Sequence, residues 1–204
     1  MKWCGNGNPN DPRPQNCLGM RLPPEVKEDA LATYERGNNK AVMQAAADVE
    51  FTGYGQWCRA REIMEFAKRM GWTKIGIATC GGLLKESGTF AKILESNGFK
   101  VFGISCKAGM VPKVDMGIDP KCEAVGCNIC NPILQAKMLN DAGTELNVVI
   151  GLCVGHDSLF YKYSEACTTT LLTKDRVTGN NPAAVLYTAD TYYHRKLFGI
   201  APEE

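Results

Sequence analysis

No stretch of this chain approaches the roughly 18 consecutive apolar residues that a membrane-spanning helix requires. The first residues, Met1-Lys2-Trp3-Cys4-Gly5-Asn6, run into polar, proline-rich sequence instead of an apolar leader. A cytoplasmic location is the expectation. An excess of one charge is also missing: 23 Lys+Arg stand against 22 Asp+Glu, a formal charge of +1. No basic stripe alternates with aromatic residues, so neither a nucleic acid nor a membrane surface is an expected partner. Neither G-x-G-x-x-G nor G-x-x-x-x-G-K-[ST] occurs, which removes the two common phosphate loops. There is no internal repeat and no low-complexity tract. What remains is 204 residues, 45% hydrophobic and 22% charged, the size and composition of a globular domain.

Cysteine is what the chain has in excess. The ten are Cys4, Cys17, Cys58, Cys80, Cys106, Cys122, Cys127, Cys130, Cys153 and Cys167. In a secreted chain they would read as a disulfide framework. In a reducing cytosol they point to metal ligation or redox chemistry. So many thiols are an oxidation liability in air, so an anaerobic source is expected.

Pro9, Pro12, Pro14, Pro23 and Pro24 leave residues 1–24 little scope for a helix or a central strand, and an irregular arm is expected there. Residues 25–204 are expected to form a single α/β domain. Apolar spacings of three and four place one or two helices in 25–50, separated at Gly37-Asn38-Asn39. Ile63, Phe66, Ala67 and Met70 form an i, i+3, i+4, i+7 stripe, which predicts a helix over 57–70 stopped by Gly71. Strands are expected at 74–80, 100–106, 146–153 and 168–173. They alternate with helices at 84–97, 132–142, 157–166 and 182–196, and a long loop fills 107–130. This order predicts a three-layer α/β fold: a mostly parallel sheet of about four to five strands, helices on both faces, and right-handed crossovers.

Cys80, Cys106 and Cys153 end the first, second and third strands. In an open parallel sheet the strand C-termini share one edge, and ligands bind in the crevice outside it. Cys130 precedes Pro132 and the helix that it starts, on the same edge. Four thiols from four segments make a candidate metal site. A lone strand-end cysteine is usually a small buried hydrophobe; four on one edge are a pattern that packing leaves unexplained. Cys127-Asn128-Ile129-Cys130 is a C-x-x-C, a spacing used for zinc, iron–sulfur and dithiol chemistry, so Cys127 is a further candidate ligand. Cys122, in the same loop, joins Cys4 and Cys17 as a candidate second site; a Cys4–Cys17 disulfide or inert thiols are the competing readings. Cys58 and Cys167 are read as packing.

Gly151-Leu152-Cys153-Val154-Gly155-His156-Asp157-Ser158 sets a glycine-flanked turn, an imidazole and a carboxylate at one strand end. His156 and Asp157 are candidate acid–base residues. His156 is equally a ligand or a tuning partner, and Asp157 equally a helix cap. Gly155 would let the backbone approach a bound group. Gly81, in the Gly81-Gly82 turn after Cys80, is the second candidate cofactor-binding position. Lys174-Asp175-Arg176 puts charge on the same edge, as a solvated loop or a substrate contact.

Residues Glu62 to Gly71, followed by Lys74 to Cys80, resemble the family called domain of unknown function 1847. So do Cys130-Asn131-Pro132-Ile133, Gly151 to Phe160, and Lys174-Asp175-Arg176 with Asn181-Pro182. The resemblance covers residues 45–197. That family is described as predicted metal-binding, so the resemblance implies a metal. Carried over by position, it implies Cys80, Cys106, Cys130, Cys153 and His156 as the site. The family's arm holds several close cysteines and this arm keeps Cys4 and Cys17, so a self-contained N-terminal metal site is not implied.

Three functions follow. The first is a [4Fe–4S] protein with a redox or small-molecule enzymatic role, partnered by a small substrate or an electron-transfer protein. The second is a structural zinc module without catalysis. The third is a thiol redox or metal-carrier protein using Cys127 and Cys130. A homo-oligomer is compatible with all three.

Overall fold

The computed structural model describes residues 16–199. The chain divides into two compact units, Met1–Thr52 and Gly53–Glu204. In the first, a 3-10 turn at Leu18–Arg21 precedes helix α1 (Pro24–Thr33) and helix α2 (Asn39–Gly53), whose last residue opens the second unit. Pro24 starts α1 where a missing N–H costs nothing. The break between the helices falls at Gly37, whose φ of +55° suits glycine.

The second unit holds the sheet. Its elements are α3 (Arg59–Arg69), β1 (Lys74–Thr79), α4 (Leu84–Ser96), β2 (Lys100–Ser105), α5 (Pro132–Asp141), β3 (Leu146–Ile150), α6 (His156–Tyr163), β4 (Cys167–Leu172), α7 (Ala183–Tyr187) and α8 (His194–Leu197). Four strands run parallel in the order β2-β1-β3-β4. The chain goes out from β1 to β2, then returns to β3 on the other side of β1. The strand order therefore reverses between β1 and β3, and the crevice of a parallel sheet opens outside their C-termini.

Side chains alternate across the strands. Ile75 and Ile77 of β1 pack with Leu146 and Val148 of β3 against Ile63 and Ala67 of α3 and Phe90 and Leu94 of α4. On the opposite face, Ala78 and Val149 pack against Ala136 and Leu139 of α5 and Phe160 of α6. Each large aliphatic or aromatic side chain so buried contributes about 1.5–3 kcal/mol. The result is the expected α/β class, with helices on both faces.

Two local features differ from the sequence reading. The expected helix over 182–196 is two short ones, α7 and α8. The Thr188 hydroxyl bonds back to the Ala184 carbonyl at 2.7 Å, and the Thr191-Tyr192-Tyr193 run that follows has low helix propensity. The 107–130 segment is an ordered loop. It has 3-10 turns at Val114–Met116 and Pro120–Val125 and an antiparallel bridge between Pro112 and Asn128. Among the described residues, no helix is long and apolar enough to cross a membrane.

Candidate thiol site at the sheet edge

β1 and β2 end side by side, with Thr79 opposite Ser105. Each strand extends its ladder by one further bond. The Cys80 N–H donates to the Ile150 carbonyl (3.0 Å) and the Cys106 N–H to that of Thr79 (2.8 Å). The backbone then turns toward the sulfurs. The Gly81 N–H donates to Cys106 Sγ at 3.3 Å, and the Gly82 N–H to Cys80 Sγ at 3.4 Å.

Cys130 arrives from the long loop. The Asn131 N–H donates to the Cys106 carbonyl at 2.7 Å, and the Asn131 side chain caps α5 by accepting from the Leu134 N–H. Beneath them lies Gln135, fully buried. Its Nε2 donates to the carbonyls of Thr79 (3.1 Å) and Ile104 (2.8 Å) and so straps the two strand ends together. Both partners are acceptors, which fixes the amide orientation. Its Oε1 has no hydrogen-bond partner among the described residues.

The Cys80 and Cys130 side chains pack in the cluster that holds Cys106, near enough to compete for its proton. Cys106 is buried, and its pKa is pushed up by donation to Cys130, then to Cys80, then by burial. Cys80 is drawn down to about 5, first by the Cys106 hydrogen bond, then, against burial, by the Gly82 N–H and Lys174. Cys130 is drawn down to about 5 in the same way, with the charges of Lys107 and His156 in support. Cys106 has one proton for two acceptors, so the three thiols titrate as one set.

Cys153 shares the edge but has a different partner. Its Sγ accepts from Arg176 Nη2 at 3.0 Å. The Arg176 guanidinium is held above its ordinary range by Cys153 first, with Cys80 and Cys130 adding through space. Thus the structure brings Cys80, Cys106 and Cys130 into contact and sets Cys153 on an arginine beside them. Among the described residues, no group of three or more His, Cys, Asp or Glu side chains is arranged to hold a metal ion.

The other candidates are more scattered. Cys127 is exposed, and its carbonyl accepts from the Lys113 N–H. Cys122 is half-buried in the 3-10 turn, and its carbonyl accepts from the buried Lys113 ammonium. Cys17 belongs to the first unit, and Cys4 lies outside the described residues. His156 opens α6, half-buried, with its charge felt at Cys130. The Asp157 carboxylate accepts from the Ser158 N–H at 2.8 Å, a local turn contact. Gly155 takes φ +84° just before α6. Cys58 is exposed ahead of α3, and Cys167 packs against the α3/α4 core, where burial raises its thiol pKa.

Two residues at the site escaped the sequence reading. Gln135 is a polar residue among the buried positions of α5, and that interruption was its signal. Lys107 follows Cys106 directly and had none.

Fold and site together define a cysteine-rich α/β protein with a thiol cluster at the C-terminal edge of its parallel sheet. The chain belongs to the family described as "Protein of unknown function (DUF1847)", which matches residues 18–171. It is also similar to an uncharacterised protein of Methanocaldococcus jannaschii, 41% identical over 173 residues that cover 85% of this chain and 88% of the relative.

Proposed function

We propose that this protein binds a thiophilic metal centre, a [4Fe–4S] cluster before zinc, through Cys80, Cys106 and Cys130, with Cys153 completing the set. The observation that carries this reading is the packing together of three cysteines from three segments outside β1 and β2. The donor chemistry fits such a group. Soft thiolates select iron–sulfur clusters, zinc or copper(I), and peptide N–H bonds to sulfur together with nearby cations tune clusters in particular. The Gly81 and Gly82 N–H groups supply those bonds, and Lys107, Lys174 and Arg176 the cations. Binding would release thiol protons, chiefly that of Cys106, and would draw Cys153 from Arg176. All nine described cysteines are free, as a reducing cytoplasm would keep them.

When bound, a cluster would supply electron transfer, or Lewis acidity if one iron kept an open position. His156 would stand beside it as a proton donor or a tuning partner. A redox or small-molecule enzymatic role is the proposed use. The thiol-redox reading has less support, because Cys130 packs in the cluster that holds Cys106.

Anaerobic purification followed by metal analysis and an absorption spectrum tests this. About four irons per chain with a broad band near roughly 400 nm are expected, and Cys80→Ser, Cys106→Ser and Cys130→Ser each abolish them, while Cys58→Ser keeps them. A colourless protein with about one zinc would replace the cluster by a structural ion. Full metal content in all three site variants would overturn the site.

A further inference from the structure

Three cations converge on the thiol crevice, and none is ion-paired with a carboxylate among the described residues. Lys107 leaves β2 beside Cys106. Its ammonium donates to the Asn128 carbonyl and its charge acts on Cys130. Lys174 and Arg176 come from the segment after β4. Lys174 reaches the end of β3, where its Cε lies 3.6 Å from the position of a Cβ on Gly151, and its Nζ lies 4.0 Å from that of a Cβ on Gly82. Arg176 donates to Cys153 through Nη2, one of the five N–H donors of its guanidinium.

The carboxylate between them is turned away. Asp175 Oδ1 accepts from the N–H groups of Val177 (2.9 Å) and Thr178 (3.0 Å), and the Asn180 N–H donates to the Asp175 carbonyl at 2.7 Å. The loop is wound on Asp175, which leaves Lys174 and Arg176 directed at the edge. A solvated loop would let its acid neutralise its own neighbours. Here the acid serves the turn, and the two bases serve the crevice.

We propose that Arg176 and Lys174, with Lys107 across the crevice, form a subsite for an oxyanion-bearing small molecule at the sheet edge beside the thiol cluster. This deepens the reading above by naming the substrate class of the same site, and it takes only its location from that reading. A guanidinium offers paired donors to a phosphoryl or carboxylate group, and an ammonium adds a point charge. The crevice outside the strand C-termini of a parallel sheet is where ligands bind.

Calorimetric titration of the as-purified full chain with inorganic phosphate, and separately with acetate, tests the proposal at matched ionic strength. Saturable binding of at least one probe is expected, and the stronger one assigns the substrate as phosphoryl or carboxylate. The Lys174→Gln/Arg176→Gln double variant should bind at least about 10-fold more weakly, the scale of losing charge-assisted hydrogen bonds. It should keep the wild-type helix signal, which shows that the weaker binding is not loss of fold. Cys106→Ser, at a buried thiol that none of the three cations touches, should keep anion binding while losing metal, so the two readings fail separately. Absence of saturable binding to either probe, or equal binding by the double variant, would overturn the subsite.

Discussion

Gln135 does with one side chain what the ladder cannot do once β1 and β2 have ended. It holds the Thr79 and Ile104 carbonyls to α5, directly under Cys80 and Cys106. Gln135→Leu keeps the volume and deletes both bonds, while the Thr79 carbonyl keeps the Cys106 N–H. It should cost about 1 kcal/mol in urea denaturation, the net worth of lost hydrogen bonds whose acceptors are not all orphaned; a cost within error of zero would mean the strap is idle. Glu145 makes a comparable join at the opposite edge. One carboxylate oxygen accepts from the N–H groups of Thr73 (2.8 Å) and Lys74 (2.9 Å), and these bonds, Thr73 first, hold its pKa below the ordinary carboxylate value. A depressed folded-state pKa stabilises the protein above the unfolded value, and that stability is lost as pH falls through the folded one. Glu145→Gln should therefore be less stable than wild type at neutral pH, and the gap should close in acid. A gap equally wide at about pH 3, where the unfolded carboxylate is protonated, would refute the assignment. Neither role was legible beforehand, because each depends on which strand ends become neighbours.

At the scale of elements, glycines mark where packing is tight and where it is open. A Cβ on Gly76 of β1 would lie 2.0 Å from Oδ1 of the buried Asn147 on β3. Asn147 is itself held by the Thr144 and Ser164 hydroxyls, so it has nowhere to yield. Gly76→Ala should destabilise by at least about 2 kcal/mol. Gly88, inside α4, has nothing within 4 Å of a Cβ, and Gly88→Ala should raise stability by about 1 kcal/mol through helix propensity. Thermal or urea unfolding of the two variants checks both signs. The helices and strands of the second unit could be read from their patterns, since α3 and α4 carry their apolar residues at a period of 3.6 and β1 and β3 are short, mostly apolar runs buried on both faces. The break between α7 and α8 could not, because Thr188 ends the helix through a bond that its own sequence does not announce.

For the molecule as a whole, the parallel sheet was legible but the strand order was not. Alternation dictates parallel strands; which side of β1 receives β3 is decided by crossover packing. Even so, one rule sufficed to collect Cys80, Cys106 and Cys130, since any order puts their segments on one edge. It did not separate Cys153, whose pairing with Arg176 depends on how the loop after β4 winds around Asp175. The sequence distances between the gathered thiols bear on the protein's lifetime. A bond network joining Cys80, Cys106 and Cys130 would close two loops of about 25 residues each, removing on the order of 3 kcal/mol of chain entropy per closure from the unfolded state. A loaded chain would then reach the open form that proteases attack far less often than an empty one. Turnover in the cell would report occupancy, and empty molecules would be cleared first.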